Sequence, residues 1–346
     1  MSPTTVDPAI LRALGLDPNS DSMSASITSH GGSGFSSTYK LCVTTTTTTN
    51  EKEKEKVYFV KTGTGSDAAA MFLGEHHSLN AIHSVLPSFC PRSYAHGSMS
   101  STSSNQHYFL VTDFLDLRSS ASASGPTGSG SGESFAAKLA KMHTTPAPIP
   151  EGRRDKPMFG FPVPTYCGAT EQDNAWKEDW AEFYADNRLR HVLGKGEEKN
   201  GKKDKELSDA VETVASKVVP RLLGEQTIGK VTPVLIHGDL WSGNQGRGRF
   251  SDDDGSVVEE VVYDPAAVYG HSEYELGIMN MFGGFGEAGF WKEYGELVPK
   301  GEPKEEWEDR VALYELYHHL NHYALFGGGY RGGAMSIMKK LITKYV

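Results

Sequence analysis

The chain has 346 residues, enough for two lobes with separate apolar cores, and its 38% hydrophobic and 23% charged content is that of an ordinary globular protein. A formal net charge of −10 argues against nucleic acid or an anionic membrane as the main partner. Cys42, Cys90 and Cys167 are widely spaced and form no C-x-x-C, and there is no long apolar run and no apolar signal core near Met1. These features predict a reducing, cytoplasmic setting with no disulfide framework and no membrane span.

Pro8 to Leu16 predicts a short helix with Ile10, Leu11 and Leu14 on one face. Gly31-Gly32-Ser33-Gly34 then lies between two β-type runs. That pattern suits a hairpin whose main-chain N–H groups approach phosphates, with Gly32, Ser33 and Gly34 as the contacts. The match to G-x-G-x-x-G is incomplete, because Ser37 stands in the third place. Thr44 to Thr49 and the alternating Glu51 to Lys56 read as a solvated extension of a hairpin. The strand Val57 to Val60 leads into Lys61. A lysine ending an apolar strand beside a Gly-rich hairpin is the V-A-I-K arrangement, with Lys61 on the α- and β-phosphates of a nucleotide. Glu75 follows in a segment predicted helical (Met71 to Leu79), placed to pair with Lys61 and fix its rotamer.

Tyr108 to Leu115 reads as a buried strand leading out of the first lobe. In a kinase-like fold its end is the hinge, where main-chain groups of Asp113, Phe114 and Leu115 meet adenine. Ser119 to Ser134 is rich in Ser and Gly, so the lobe boundary is set at about Asp116, giving lobes 1–115 and 116–346. The second lobe opens with a predicted helix, Ser134 to His143, carrying Phe135, Leu139 and Met142 on one face. Pro146 to Pro164 reads as a loop, Gly194 to Glu206 as a charged loop, and Leu207 to Leu223 as a helix feeding the next strand.

That strand ends in His237-Gly238-Asp239-Leu240-Trp241-Ser242-Gly243-Asn244, which reads H-G-D-L-x-x-x-N. The spacing is that of the phosphotransferase loop H-R-D-L-x-x-x-N. Phosphoryl transfer needs one carboxylate beside the attacking hydroxyl, and an Asn with a second carboxylate to hold Mg²⁺ on the nucleotide phosphates. Asp239 fits the first role; Asn244 and Asp264, after a second β-type run, fit the others. Gly238 replaces the Arg of H-R-D, and no long activation segment or A-P-E follows Asp264. Both departures point to a small-molecule kinase with a permanently assembled site. The C-terminal third predicts helices over Met279 to Tyr294 and Trp307 to Leu325. His318 and His322 share a helix face, but no H-E-x-x-H glutamate or further ligand pattern accompanies them, which speaks against zinc.

HGDLWSGN, together with YDPAAVYGHSEYELGIMNMFGGF (Tyr263 to Phe285) and YHHLNHYALFGGGYRG (Tyr317 to Gly332), resembles the fructosamine/ketosamine-3-kinase family. Phe159-Gly160-Phe161, Cys167-Gly168 and Trp176 to Tyr184 match the same pattern. The first motif is shared with aminoglycoside- and choline-kinase-like enzymes; the others are more specific. The resemblance runs from about Ile27 to the C-terminus. It implies an α+β, bilobal, protein-kinase-like fold with a small β-rich N-lobe and a larger, mainly helical C-lobe, using ATP and Mg²⁺ between them. It implies phosphorylation of the 3-hydroxyl of a ketosamine (ribulosamine, erythrulosamine or fructosamine) on a glycated protein or a free amine. Loss of that phosphate by elimination then frees the amine, so the implied role is deglycation. Trp241 and His322 carry over as substrate contacts. Ser33 stands where some members have a redox-active cysteine. His271, Glu273 and Glu275 read as structural residues behind Asp264. A monomer is expected, a dimer being the alternative. A choline- or aminoglycoside-type kinase is the competing reading, and it should lack GHSEYEL and LNHY.

Overall fold

The structure, a computed structural model, describes residues 5–31, 36–46, 53–100, 106–117, 132–152, 156–201, 203–251, 258–285 and 289–346. Gly32, Ser33 and Gly34, the expected phosphate contacts, lie outside the described residues. The chain forms two compact units, one from residues 1–133 with 246–263, the other from residues 134–245 with 264–346. The division is therefore discontinuous, where the sequence alone suggests one boundary near Asp116. The cause is strand pairing: β6 (Leu115–Leu117) pairs antiparallel with the later strand Gln245–Phe250, which ties the following segment into the first unit.

The first unit holds α1 (Pro8–Ala13), β1 (Met23–Ser29), β2 (Ser37–Thr46), β3 (Glu53–Thr64), α2 (Gly65–Val85), β4 (Ser93–Ser98) and β5 (His107–Asp113) ahead of β6. The five longer strands make an antiparallel sheet in the order β1-β2-β3-β5-β4. Leu41, Val43, Val60, Phe109 and Val111 build its core, and α1 adds Ile10 and Leu11. α1 stops short of Leu16, at Ala13, ahead of Gly15 with φ 75°. β2 and β3 pair out to Thr46 and Glu53, so the described parts of the threonine run and of the Glu/Lys alternation do extend a hairpin, residues 47–52 lying outside the described residues. α2 is longer than predicted, 21 residues, and buries Phe72, Leu79 and Ile82. Lys61 lies on the central strand, opposite Thr38 on one side and Leu110 on the other.

The second unit is mainly helical. Two expectations fail here for identifiable reasons. Gly194 to Glu206 is not one loop: it is helical to Asn200, breaks at Gly201 (φ 62°), and restarts at Lys205 with the Asp204 carboxylate accepting from the Leu207 N–H at 3.1 Å. The buried Gly196 does not break the helix. It lets it approach Ala324, which a Cβ there would meet at 3.4 Å. Met279 to Tyr294 is not one helix either. It stops at Phe282, where Gly283 and Gly284 adopt φ 64° and 88°, and a new helix begins at Phe290. The helices Lys205–Thr213 and Val219–Leu223 flank a wider turn and together cover the predicted Leu207 to Leu223.

Trp180, Tyr184, Tyr274, Tyr314 and Tyr317 fill the centre of this unit. Burial of most of their polar tips is compensated, the Tyr274 hydroxyl being the exception. Trp180 Nε1 donates to the Tyr314 hydroxyl at 2.8 Å, and the Tyr184 hydroxyl donates to Leu313 O at 2.5 Å. No helix among the described residues is long and apolar enough to cross a membrane.

Beside this core, the fully buried Arg310 pairs with Glu273 through Nε (2.7 Å) and Nη2 (3.1 Å), and donates to Gly301 O and Pro303 O. Burial alone would raise the Glu273 pKa, but the Arg310 hydrogen bonds and charge bring it below the usual carboxylate range. The depressed pKa contributes stability that is present above the ordinary Glu range and lost as pH falls through the folded value. Arg310→Ala should destabilise the protein by about 3–5 kcal/mol at neutral pH, because a buried carboxylate loses its partner. In chemical denaturation the gap from wild type should narrow as the buffer is taken below the carboxylate range. A constant gap would show that the pair contributes no charge-dependent stability.

Candidate active site

Two sets of side chains, one per unit, hold the residues that the sequence singles out. In the first unit, Lys61 Nζ donates to Glu75 Oε1 at 2.7 Å, with Lys61 8% exposed. The strand–helix pair therefore holds the ammonium in place. At the end of β5 the picture is different. The Asp113 carboxylate accepts from the Arg92 N–H (2.8 Å) and the Tyr94 hydroxyl (2.5 Å), which makes this side chain a brace for the strand. The Asp113 N–H donates to Arg92 O, and Phe114 O accepts from the Ser251 N–H at 3.2 Å. The Phe114 ring is buried against His30 and under the Lys40 ammonium, and Leu115 pairs with Phe250.

In the second unit the buried strand Val234–Ile236 pairs with Val268–Gly270 and delivers His237 to Asn244. His237 is fully buried, and its main-chain N–H donates to Glu275 Oε2 at 2.5 Å. The Gly238 N–H donates to Glu275 Oε1 at 3.0 Å. One buried carboxylate thus clamps two successive amides directly before Asp239. His143 Nε2 stands 3.6 Å from the same carboxylate, and His143 Nδ1 bonds the Tyr294 hydroxyl at 2.7 Å. Gly238 adopts φ 81°, and a Cβ there would fall 2.1 Å from Ala266 O. This is the physical reason for glycine where H-R-D loops have arginine.

Asp239 is partly exposed. The Cys167 thiol donates to its Oδ1 at 3.6 Å, and Asn244 Nδ2 donates to its carbonyl at 2.9 Å. Burial, helped by the charges of Asp264 and Glu275, pushes its pKa up to about 8, against the lowering effect of the Cys167 and Asn244 hydrogen bonds. Asn244 is buried, and because its amide nitrogen is used by Asp239, Oδ1 is the atom it can offer to a cation. Asp264 has φ 57°, the only positive value among described residues other than glycine. Asp tolerates this left-handed conformation better than most residues, and such outliers gather at functional sites. No group of three or more His, Cys, Asp or Glu among the described residues is arranged to hold a metal ion. Two oxygen donors do suit Mg²⁺, which takes one or two protein ligands and completes its shell with phosphates and water. The repulsion that Asp264 exerts on Asp239 is of the sign a cation would relieve.

Trp241 is 40% exposed and its ring folds over Gly243, where a Cβ would strike it at 2.1 Å. His322 comes from the helix Trp307–Phe326. Phe282 links the two, its ring centroid 6.2 Å from Trp241 and 5.2 Å from His322. His322 Nδ1 donates to His318 O at 2.7 Å, which leaves Nε2 as an acceptor; burial lowers the pKa of the ring. His318 instead stacks on Tyr274 in the core.

Sequence reasoning missed Glu275, Cys167 and Phe282 as members of this site. Glu275 carried a signal: a carboxylate inside the apolar run Glu275 to Met279 has to find donors when buried. Cys167 stood out only through the resemblance, which gave it no role, since spacing does not reveal a partner 72 positions away.

Glu275→Gln should lower kcat by at least about ten-fold and stability by about 1–3 kcal/mol. The amide has one acceptor oxygen, so one of the two loop N–H groups is left facing an N–H donor. Steady-state kinetics beside thermal unfolding tests this. Unchanged kcat would show that the clamp does not position Asp239.

The sequence profile of the fructosamine kinase family matches residues 20–344. A mouse protein named ketosamine-3-kinase is 33% identical over 305 residues, covering 82% of this chain and 87% of its own. A protein named protein-ribulosamine 3-kinase, chloroplastic, from Arabidopsis thaliana is 35% identical over 281 residues, covering 81% of this chain and 74% of its own. A crystal structure of a presumed fructosamine-3-kinase from Haemophilus somnus superposes with a TM-score of 0.68 at 20% identity, covering 96% of each chain. That likeness bears on the fold, an antiparallel sheet followed by a mainly helical part. The profile match over nearly the whole length, with the two relatives, gives the assignment: the chain belongs to the fructosamine kinase family.

Proposed function

We propose that this protein is an ATP-dependent ketosamine 3-kinase, phosphorylating the 3-hydroxyl of ribulosamine, erythrulosamine or fructosamine groups and so opening the way to deglycation. The observation that supports it most is Asp239: a half-buried residue on an anchored loop, its carboxyl held by Cys167 and two residues from the exposed ring of Trp241. Asp239 accepts the proton of the 3-hydroxyl. That oxygen bonds to the γ-phosphorus, the bond to the bridging oxygen breaks, and ADP leaves. Asn244 and Asp264 would hold Mg²⁺, which neutralises charge on the transferring phosphoryl group. Lys61, already paired with Glu75, holds the nucleotide phosphates. The Asp113–Leu115 segment would offer adenine main-chain groups other than the Asp113 N–H and Phe114 O, which are engaged. Trp241 covers the apolar face of the sugar, and His322 Nε2 accepts from a hydroxyl. In the product, proton loss from carbon 1 forms an enol, and phosphate leaves carbon 3. Water then cleaves the resulting imine and frees the amine. Cys42, Cys90 and Cys167 are free thiols, in keeping with a reducing compartment such as the cytoplasm.

An ATP-consumption screen over the three ketosamines, choline and an aminoglycoside tests the reading. Turnover confined to choline or the aminoglycoside would overturn it. In the same assay, Asp239→Asn should cut kcat on the best ketosamine by about 10²–10⁴ while ATP affinity stays near wild type. Wild-type turnover would remove Asp239 from the chemistry.

Asp264→Asn keeps a residue that tolerates positive φ and removes only the charge. It should weaken ATP binding in the presence of Mg²⁺ and leave metal-free ATP binding unchanged. Equal affinities with and without Mg²⁺ in the wild type would contradict the role given to Asp264.

A further inference from the structure

The aromatic run from Trp241 through Phe282 does not end at His322. Its ring lies 5.6 Å from Phe326 and 4.9 Å from Tyr330. Phe326 is 63% exposed, Phe282 42% and Trp241 40%, so the run from Trp241 to Tyr330 meets solvent at three of its rings, with His322 and Tyr330 half-buried between and beside them. Four separate segments contribute these rings: the loop after Asp239, the end of the Glu275–Phe282 helix, the last turns of the Trp307–Phe326 helix, and the turn Gly328–Tyr330. Rings from four segments that touch in sequence, three of the rings exposed, form a surface that burial within the fold does not require.

The inference rests on the ketosamine reading above. The sugar must present its 3-hydroxyl to Asp239, so it occupies the Trp241 end. Successive ring spacings of 6.2, 5.2 and 5.6 Å make a path along the rings that is longer than the carbon chain of a pentose or hexose. The group that continues beyond the sugar is the substituent on the carbon 1 nitrogen. That nitrogen is a secondary ammonium, which aromatic faces attract, and in a glycated lysine it continues as four methylenes, which flat rings can cover. We propose that Phe282, Phe326 and Tyr330 form a subsite for the alkylammonium arm of a glycated lysine and the polypeptide bearing it. Peptide-borne ketosamines are then preferred over adducts of short free amines.

The test compares two adducts of one sugar: one on the lysine side chain of a short peptide, the other on methylamine. Wild type should show the higher kcat/KM for the peptide adduct. Phe326→Ala and Tyr330→Ala should each lower kcat/KM for the peptide adduct by about five-fold or more, and change kcat/KM for the methylamine adduct and KM for ATP by less than about two-fold. Phe326 is largely exposed, and unfolding temperatures confirm that each variant is folded. Equal losses on both adducts, no loss on either, or a raised KM for ATP would overturn the subsite. If wild type phosphorylates neither adduct, the ketosamine reading itself fails, which is a different result from a loss of selectivity between them.

Discussion

The loop that carries Asp239 depends on one buried carboxylate. Glu275 takes the N–H groups of His237 and Gly238 in a bidentate grip, and it sits on a helix packed into the aromatic core of its unit. A carboxylate removed from water is costly unless each oxygen is satisfied, so the arrangement specifies the loop as firmly as the loop satisfies the carboxylate. Gly277 fixes this helix from the other side. It approaches Tyr314 so closely that a Cβ would lie 2.6 Å from the main-chain carbon. Tyr314 in turn accepts from Trp180. The position of Asp239 is therefore set by the packing of a whole helical unit.

The second constraint is local and steric. The Ala266 N–H donates to His237 O at 2.9 Å, and Ala266 O leaves no room for a side chain at position 238. The segment after Asp264 and the loop before Asp239 thus lock each other. Asp264, with φ 57°, lies in the segment between the strand ending at Val262 and the one beginning at Val268. Asp239 and Asp264 end up close enough that the charge of Asp264 raises the pKa of Asp239.

Much of this was legible in the sequence because phosphoryl transfer prescribes side-chain types at set spacings. Asp239, Asn244, Lys61 and Glu75 could be named from such spacings, and the Lys61–Glu75 pair is present in the fold. Glu275 was read as structural but not as the clamp, because its partners are main-chain amides, and amides carry no sequence signature. Glycine misled in both directions. Gly194 and Gly196 suggested a loop but lie in a helix, where Gly196 serves close packing, whereas Gly283 and Gly284 do end a helix that hydrophobic content alone carries through. The pairing of β6 with Gln245–Phe250 could not be read at all, since non-local strand pairing leaves no local pattern.

That pairing has a consequence for how the chain is made. The first unit lacks its last two strands until residues 246–263 have been synthesised. The ribosome therefore delivers Asp239 and Asn244 while the first unit is still incomplete, and Asp264 only after Tyr263 has finished it. Asn244 stands just before one crossing of the chain between units, and Asp264 stands at the other. The two residues assigned to the cation thus bracket the excursion that completes the sheet-bearing unit. A chain interrupted anywhere in that excursion keeps one of them and lacks the other.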